Sequence, residues 1–103
     1  TGTPGFDVQY ELERAYNALT AGDAESAIGF YQTVLSNDKD NKQALFGLAA
    51  TYHRVGQMEK ARPLYSRLLK LEPTHREALN NFLALAADEA PQEALSELAV
   101  LQK

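Results

Sequence analysis

The chain has 103 residues, 45% of them hydrophobic, which is enough for one domain with a single core. It contains no cysteine, which excludes disulfides, zinc–thiolate sites and a cysteine nucleophile. The net charge of −4 argues against a general nucleic-acid binder, and no apolar run is long enough to predict membrane insertion. We therefore expect a soluble protein of the cytoplasm or the periplasm.

Residues 1–7 precede the first helical pattern and are predicted to be a linker or an expression remnant. Residues 8–103 are predicted to form one domain of about six helices. In the first helix pair, Ala15 and Ala27 lie on either side of Gly22. The same spacing recurs later in the chain, where Gly56 is expected to end a helix in the left-handed conformation.

The clearest helical pattern lies in residues 42–55. Leu45, Leu48, Ala49 and Tyr52 recur at steps of three and four, which places them on one face of a helix. Either Asp40 or Asn41 is a candidate N-cap for this helix.

The next helix carries an apolar stripe from Met58 to Leu71 and is stopped by Pro73. Pro63 falls inside this stripe and removes one backbone hydrogen bond, so we expect it to start the helix late or to bend it. Thr74 and Glu77 form a capping-box sequence for a fifth helix that runs to about residue 87.

These elements repeat at an interval of 34 residues. The middle copy is defined by Leu45, Leu48, Ala49, Tyr52, Ala61, Tyr65 and Pro73. The first copy matches it at Ala15, Gly22, Ala27, Tyr31 and Leu35, and the third at Ala78, Leu79, Phe82 and, after a one-residue deletion, Ala94, Leu98 and Leu101. The predicted repeats are residues 8–41, 42–75 and 76–103.

The repeat pattern resembles that of the tetratricopeptide repeat family, with Leu45 in place of the usual Trp. This resemblance implies an all-α fold, a right-handed α-α superhelix of stacked helical hairpins. It also implies a surface that binds other proteins rather than a catalyst. In such packing, small residues let two helices approach closely, while Tyr31, Tyr52 and Tyr65 are expected to fill the spaces between hairpins.

The two ends of the array depart from the repeat pattern. Glu11 and Arg14 occupy the places of Leu45 and Leu48, and we expect the array to begin there. Pro91 suits the first turn of a last helix whose apolar residues include Leu95, Leu98 and Leu101. Because no polar helix follows, we expect either a longer natural chain or self-association through these leucines.

Few residues suggest chemistry. His53 and His75 are the only histidines, and neither has a second ligand at metal-binding spacing, so exposed or capping roles are favoured. No Gly-rich phosphate loop and no nucleophile constellation is present. We therefore predict no catalytic residue, no cofactor and no metal.

The resemblance implies that the first helix of each repeat lines a concave ligand-binding face. The residues assigned to this face are Gln9, Leu12, Tyr16, Gln43, Phe46, Ala50, His53, Arg54, Glu77, Asn80 and Ala84. Among them Leu12, Tyr16 and Phe46 lie off the core stripe, and we predict that they form an exposed apolar cluster that binds a partner.

Heat-shock co-chaperones of this family hold a C-terminal carboxylate with a Lys, Asn and Arg clamp, of which this chain retains only Asn81. We therefore expect a ligand that binds through apolar side chains, as an extended peptide or an amphipathic helix. The alternative is a self-associating scaffold, supported by segments that are acidic, basic and acidic in turn. RNA binding is disfavoured, because Arg54 is the only basic residue on the expected concave face.

Overall fold

A computed structural model describes residues 6–89 of the chain. The described part folds into five α-helices and contains no strand, which confirms the all-α prediction. The helices are α1 (Val8–Thr20), α2 (Ala24–Asn37), α3 (Lys42–Arg54), α4 (Met58–Leu71) and α5 (Arg76–Glu89). The predicted sixth helix, with Leu95, Leu98 and Leu101, lies outside the described residues, as do residues 1–5.

Three of the helices begin at short polar side chains that replace missing backbone partners. Asp7, Asp23 and Asn41 each accept a hydrogen bond from the backbone N–H three residues later, at 3.2, 3.1 and 2.9 Å. Hydrogen bonds from the side chain and backbone of Ser26 hold the pKa of Asp23 below its usual value. Of the two candidate caps for α3, the structure therefore selects Asn41.

Helices α1 and α3 are each followed by a glycine with positive φ. Gly22 has φ of 86° and Gly56 has φ of 84°, a conformation that side-chain-bearing residues rarely adopt. These glycines let the chain reverse within a few residues, and this places each pair of helices side by side.

The predicted capping box at Thr74 and Glu77 is wrong. Helix α5 begins at Arg76, so the capping position falls on His75, whose Nδ1 accepts a hydrogen bond from the backbone N–H of Ala78 at 3.1 Å. The turn at residues 73–74 places Thr74 one residue too early to reach the orphan amides. The capping role suggested for His75 is thereby confirmed.

Of the two effects expected from Pro63, the late helix start is wrong, and the bend stays a prediction. Helix α4 begins at Met58 and includes Pro63 in its interior. The ring removes only one i→i−4 hydrogen bond, while Ala61 and Tyr65, on either side of it, are fully buried against the core. Tertiary packing therefore keeps the helix intact across the proline.

The core lies between helices that pack in sequence order. Helix α1 packs on α2 and α3 on α4 as hairpins, while smaller interfaces join α2 to α3, α4 to α5 and α1 to α3. The four alanines at the predicted close approaches, Ala15, Ala27, Ala49 and Ala61, have no exposed surface. Tyr31, Tyr52 and Tyr65 are buried as expected from the repeat pattern.

Tyr31 of α2 packs tightly against Gly47 of α3, in the next hairpin. A Cβ atom added to Gly47 would lie only 2.6 Å from Tyr31 Oη, and closer still to the ring. Tyr31 is 4% exposed, and this burial is the main cause that raises the pKa of its phenol. The neighbouring Tyr16 adds to the rise. The ring thus occupies the space that any other residue at position 47 would fill.

Gly47→Ala should destabilise the protein although alanine favours helices. The ring of Tyr31 would have to leave a close-packed site, at a cost of roughly 1 to 3 kcal/mol. Gly29, in the exposed middle of α2, has nothing near its missing Cβ, so Gly29→Ala should stabilise by about 0.5 to 1 kcal/mol. Urea unfolding of both variants measures the contrast. Equal stabilisation by both substitutions would show that the position of the Tyr31 ring does not depend on the missing side chain at Gly47.

Gln57 is the first residue before α4 and does not cap it. No described residue donates to its buried Oε1, and its side chain makes no cap hydrogen bond. The equivalent residue of the first hairpin, Asp23, has nearly the same backbone angles (φ −94°, ψ 76°, against −92° and 68°) and does cap its helix.

Gln57→Asp should therefore add an N-cap to α4 and raise the free energy of unfolding by about 1 kcal/mol at neutral pH. Thermal or urea unfolding measures the gain, with Gln57→Asn as a second capping variant. Loss of stability in both variants would mean that the amide of Gln57 has a packing role that a shorter side chain cannot replace.

Candidate functional site

A groove of about 740 Å³ lies between α1 and α3, beside the turn that precedes α5. Helix α1 contributes Gln9, Leu12, Glu13, Tyr16, Asn17 and Leu19. The other side is lined by Tyr31 from α2, by Lys42, Gln43, Phe46, Gly47 and Ala50 from α3, and by Glu72 and His75 from the turn. Helices α1 and α3 also contact each other directly, and Tyr31 lines the groove between them.

Six of the eleven predicted site residues come together in this groove. They are Gln9, Leu12, Tyr16, Gln43, Phe46 and Ala50. The remaining five, His53, Arg54, Glu77, Asn80 and Ala84, do not line it. The structure therefore concentrates the predicted face at the first and second repeats.

The predicted exposure of Leu12 is wrong. Leu12 is 7% exposed and belongs to the core cluster, with only an edge reaching the groove. Leu12 lines the groove between α1 and α3. The repeat pattern of a single helix does not indicate that these two helices, the first helices of two repeats, contact each other.

Phe46 is a fixed wall of the groove rather than an exposed anchor. It is partly buried, and its ring stacks on His75 with centroids 5.1 Å apart and an interplanar angle of 28°. It also meets the ring of Tyr65 edge to face at 6.1 Å. Tyr16, by contrast, is 61% exposed. Of the three predicted apolar contacts, only Tyr16 presents most of its ring to solvent.

The charged groups of the groove are Glu13, Lys42 and Glu72. Lys42 Nζ lies 3.5 Å from a carboxylate oxygen of Glu72. Glu13 is exposed, and no cation in the described part of the chain pairs with it. The groove therefore carries one unpaired negative charge on its α1 side.

His53 and Arg54, assigned to the concave face, make contacts within the protein. The guanidinium of Arg54 donates to the carbonyl oxygen of Leu19 at 3.0 Å, near the end of α1. The ring of His53 meets Tyr65 edge to face, and its Nδ1 lies 3.5 Å from the Tyr65 hydroxyl. Both side chains therefore join helices rather than line the groove.

Glu77, Asn80 and Ala84 lie on α5 and are exposed. Beside them, the side-chain amide of Asn81 donates to the Tyr65 hydroxyl at 3.2 Å. Burial raises the pKa of Tyr65, and this hydrogen bond partly opposes the rise. The one clamp residue that the sequence retains is thus engaged by a core tyrosine.

Sequence reasoning missed Glu13, Asn17, Lys42, Glu72 and His75 as groove residues. The two residues of α1, Glu13 and Asn17, could have been found from helical spacing. Glu13, for example, lies four residues after Gln9 and three before Tyr16, on the same helical face. The other three depend on how the turn after α4 folds beside the start of α3, which no helical periodicity indicates.

No cluster in the part of the chain described here brings together three or more His, Asp or Glu residues that could hold a metal ion. Within the same residues, none of the helices has both the length and the apolar character to cross a membrane.

The family model for the tetratricopeptide repeat matches residues 18–86. The chain belongs to the tetratricopeptide repeat family. Repeats of this kind generally mediate interactions between proteins and are generally not enzymes. The match extends from the end of α1 to near the end of α5 and so includes the whole of α2, α3 and α4.

A curated relative is cellulose synthase operon protein C of Pseudomonas fluorescens (strain SBW25). The two sequences are 38% identical over 66 residues, which is 64% of this chain and 5% of that protein. The chain therefore spans only a small part of the length of the relative it matches.

Phe46→Ala should lower the free energy of unfolding by about 2 to 3 kcal/mol, because the ring packs on His75 and Tyr65 at the edge of the core. Tyr16→Ala removes an exposed ring and should change the free energy of unfolding by less than about 0.5 kcal/mol. Urea unfolding compares the two variants. A Phe46→Ala variant as stable as the wild type would mean that this ring is available to a ligand.

Proposed function

We propose that the groove between α1 and α3 binds a segment of a partner protein, and that the protein serves as an adaptor or assembly factor. The bound segment is apolar or amphipathic, either an extended peptide or a helix. The observation that carries this proposal is the exposed ring of Tyr16 beside a preformed apolar groove.

The lining supports a ligand that binds by burial of apolar surface. Leu12, Phe46 and Ala50 supply apolar surface, and the volume of about 740 Å³ lies in the range of pockets that enclose ligands. A large aromatic side chain at the edge of such a groove is a typical binding hot spot, because it gains buried area at little entropic cost. Tyr16 meets this description.

The groove is also largely preorganised. The ring of Phe46 packs on His75 and Tyr65. The ring of Tyr31 packs closely against α3 because Gly47 has no side chain. A wall that is already ordered does not lose side-chain entropy when a ligand binds. Binding therefore requires little rearrangement of this chain.

The similar protein is named for a cellulose synthase operon, and this makes the products of such an operon the first candidates for the partner. The proposal for this chain is limited to the class of partner, a protein segment held in the groove. Selection among protein segments depends on the few side chains that the groove exposes.

A comparison of two exposed tyrosines on α1 tests the proposal. Sixteen-residue peptides are selected from a random display library on the wild-type protein, and their affinities are measured by fluorescence anisotropy. Tyr16→Ala should weaken binding about 5- to 30-fold, equivalent to about 1 to 2 kcal/mol. Tyr10 is 55% exposed and does not line the groove, so Tyr10→Ala should bind as the wild type does.

Retained binding by Tyr16→Ala, or an equal loss with Tyr10→Ala, would contradict groove binding. Circular dichroism of both variants confirms that helix content is unchanged, so that a loss of affinity reports the groove and not the fold.

A further inference from the structure

We propose that the groove selects segments in which a basic residue lies within one helical turn of a large apolar residue, with the Glu13 carboxylate as the contact for the basic side chain. This inference rests on the proposed function and adds the chemistry of the partner to it.

The first support is that Glu13 differs from the acidic residues near it. On the same helix, Glu11 is bound to the guanidinium of Arg14 at 3.3 Å. In the groove, Glu72 is bound to Lys42 at 3.5 Å. Glu13 lines the groove, is exposed, and pairs with no cation among residues 6–89.

The second support is the charge balance of the lining. Lys42 and Glu72 neutralise each other, so the charge that remains is that of Glu13. Arg54 does not line the groove, and its guanidinium donates to the carbonyl oxygen of Leu19 rather than to Glu13. A ligand with an acidic residue would meet an uncompensated carboxylate, or would have to displace Glu72 from Lys42. A basic ligand meets neither obstacle.

The third support is the spacing of Glu13 and Tyr16. Residues three apart on a helix have Cβ atoms roughly 5 to 6 Å apart, so one turn of α1 presents a carboxylate and an exposed aromatic ring together. The aliphatic part of a Lys or Arg side chain can lie on the ring while its charged end reaches the carboxylate. An apolar residue one turn away on the ligand then enters the groove beside Phe46.

The experiment compares display-selected peptides and charge variants. Peptides selected on the wild-type protein should be enriched in Lys or Arg within four residues of a Leu, Ile, Phe, Tyr or Trp. For one such peptide, Glu13→Gln should weaken binding about three- to ten-fold at low salt. Glu25→Gln removes the same charge from an exposed position of α2 outside the groove and should have no effect.

Charge exchange gives the sharpest test. Glu13→Lys should weaken binding of the basic peptide more than ten-fold, and replacing the peptide's Lys with Glu should restore much of the affinity for this variant. Raising the salt concentration should reduce the difference between wild type and Glu13→Gln.

Two results would overturn the inference. One is enrichment of acidic or uncharged peptides, and the other is unchanged binding by both Glu13 variants. If either occurs while Tyr16→Ala still loses affinity, the groove binds apolar segments without charge selection and the proposed function stands. If Tyr16→Ala also binds normally, groove binding itself is wrong.

Discussion

The interaction on which the architecture depends is the insertion of Tyr31 into the surface of α3 at Gly47. The absence of a side chain at position 47 lets the ring lie against the α3 backbone, so the two hairpins approach closely. One repeat later, Tyr65 meets α5 in the same way, but there Asn81 occupies the equivalent position and donates to the hydroxyl. Equivalent tyrosines therefore connect neighbouring hairpins twice, once by close packing and once by a hydrogen bond.

Tyr31 also belongs to the groove, which it lines together with residues of α1 and α3. His75 and Tyr65 hold the ring of Phe46, another residue of the lining. Much of the apolar lining is thus part of the core as well. The exposed side chains of the lining include Tyr16 and Glu13 on α1 and Gln43 on α3, and we propose that these discriminate between ligands. In the proposed function, recognition therefore combines a preformed apolar surface with a small number of exposed side chains.

Local signals in the sequence predicted much of the fold. The 34-residue period located the buried alanines and tyrosines, and Gly22 and Gly56 located two helix ends. The wrong capping box at Thr74 and the missed Glu13 are local errors, whereas the other misses at the site involve contacts between helices. Leu12 belongs to the core, Arg54 reaches the end of α1, and the turn after α4 brings His75 onto Phe46. Spacing along one helix specifies a face, whereas the partner of that face depends on how hairpins stack.

We propose that the groove between α1 and α3 is the binding surface. Backbone amide chemical shifts, recorded by NMR as a selected peptide is added to isotopically labelled protein, test this proposal residue by residue. We predict that the largest changes fall on groove residues such as Glu13, Tyr16 and Ala50, with little change at exposed positions of α2 such as Gly29. Changes concentrated on α2 and α4, with the groove residues unaffected, would contradict the account.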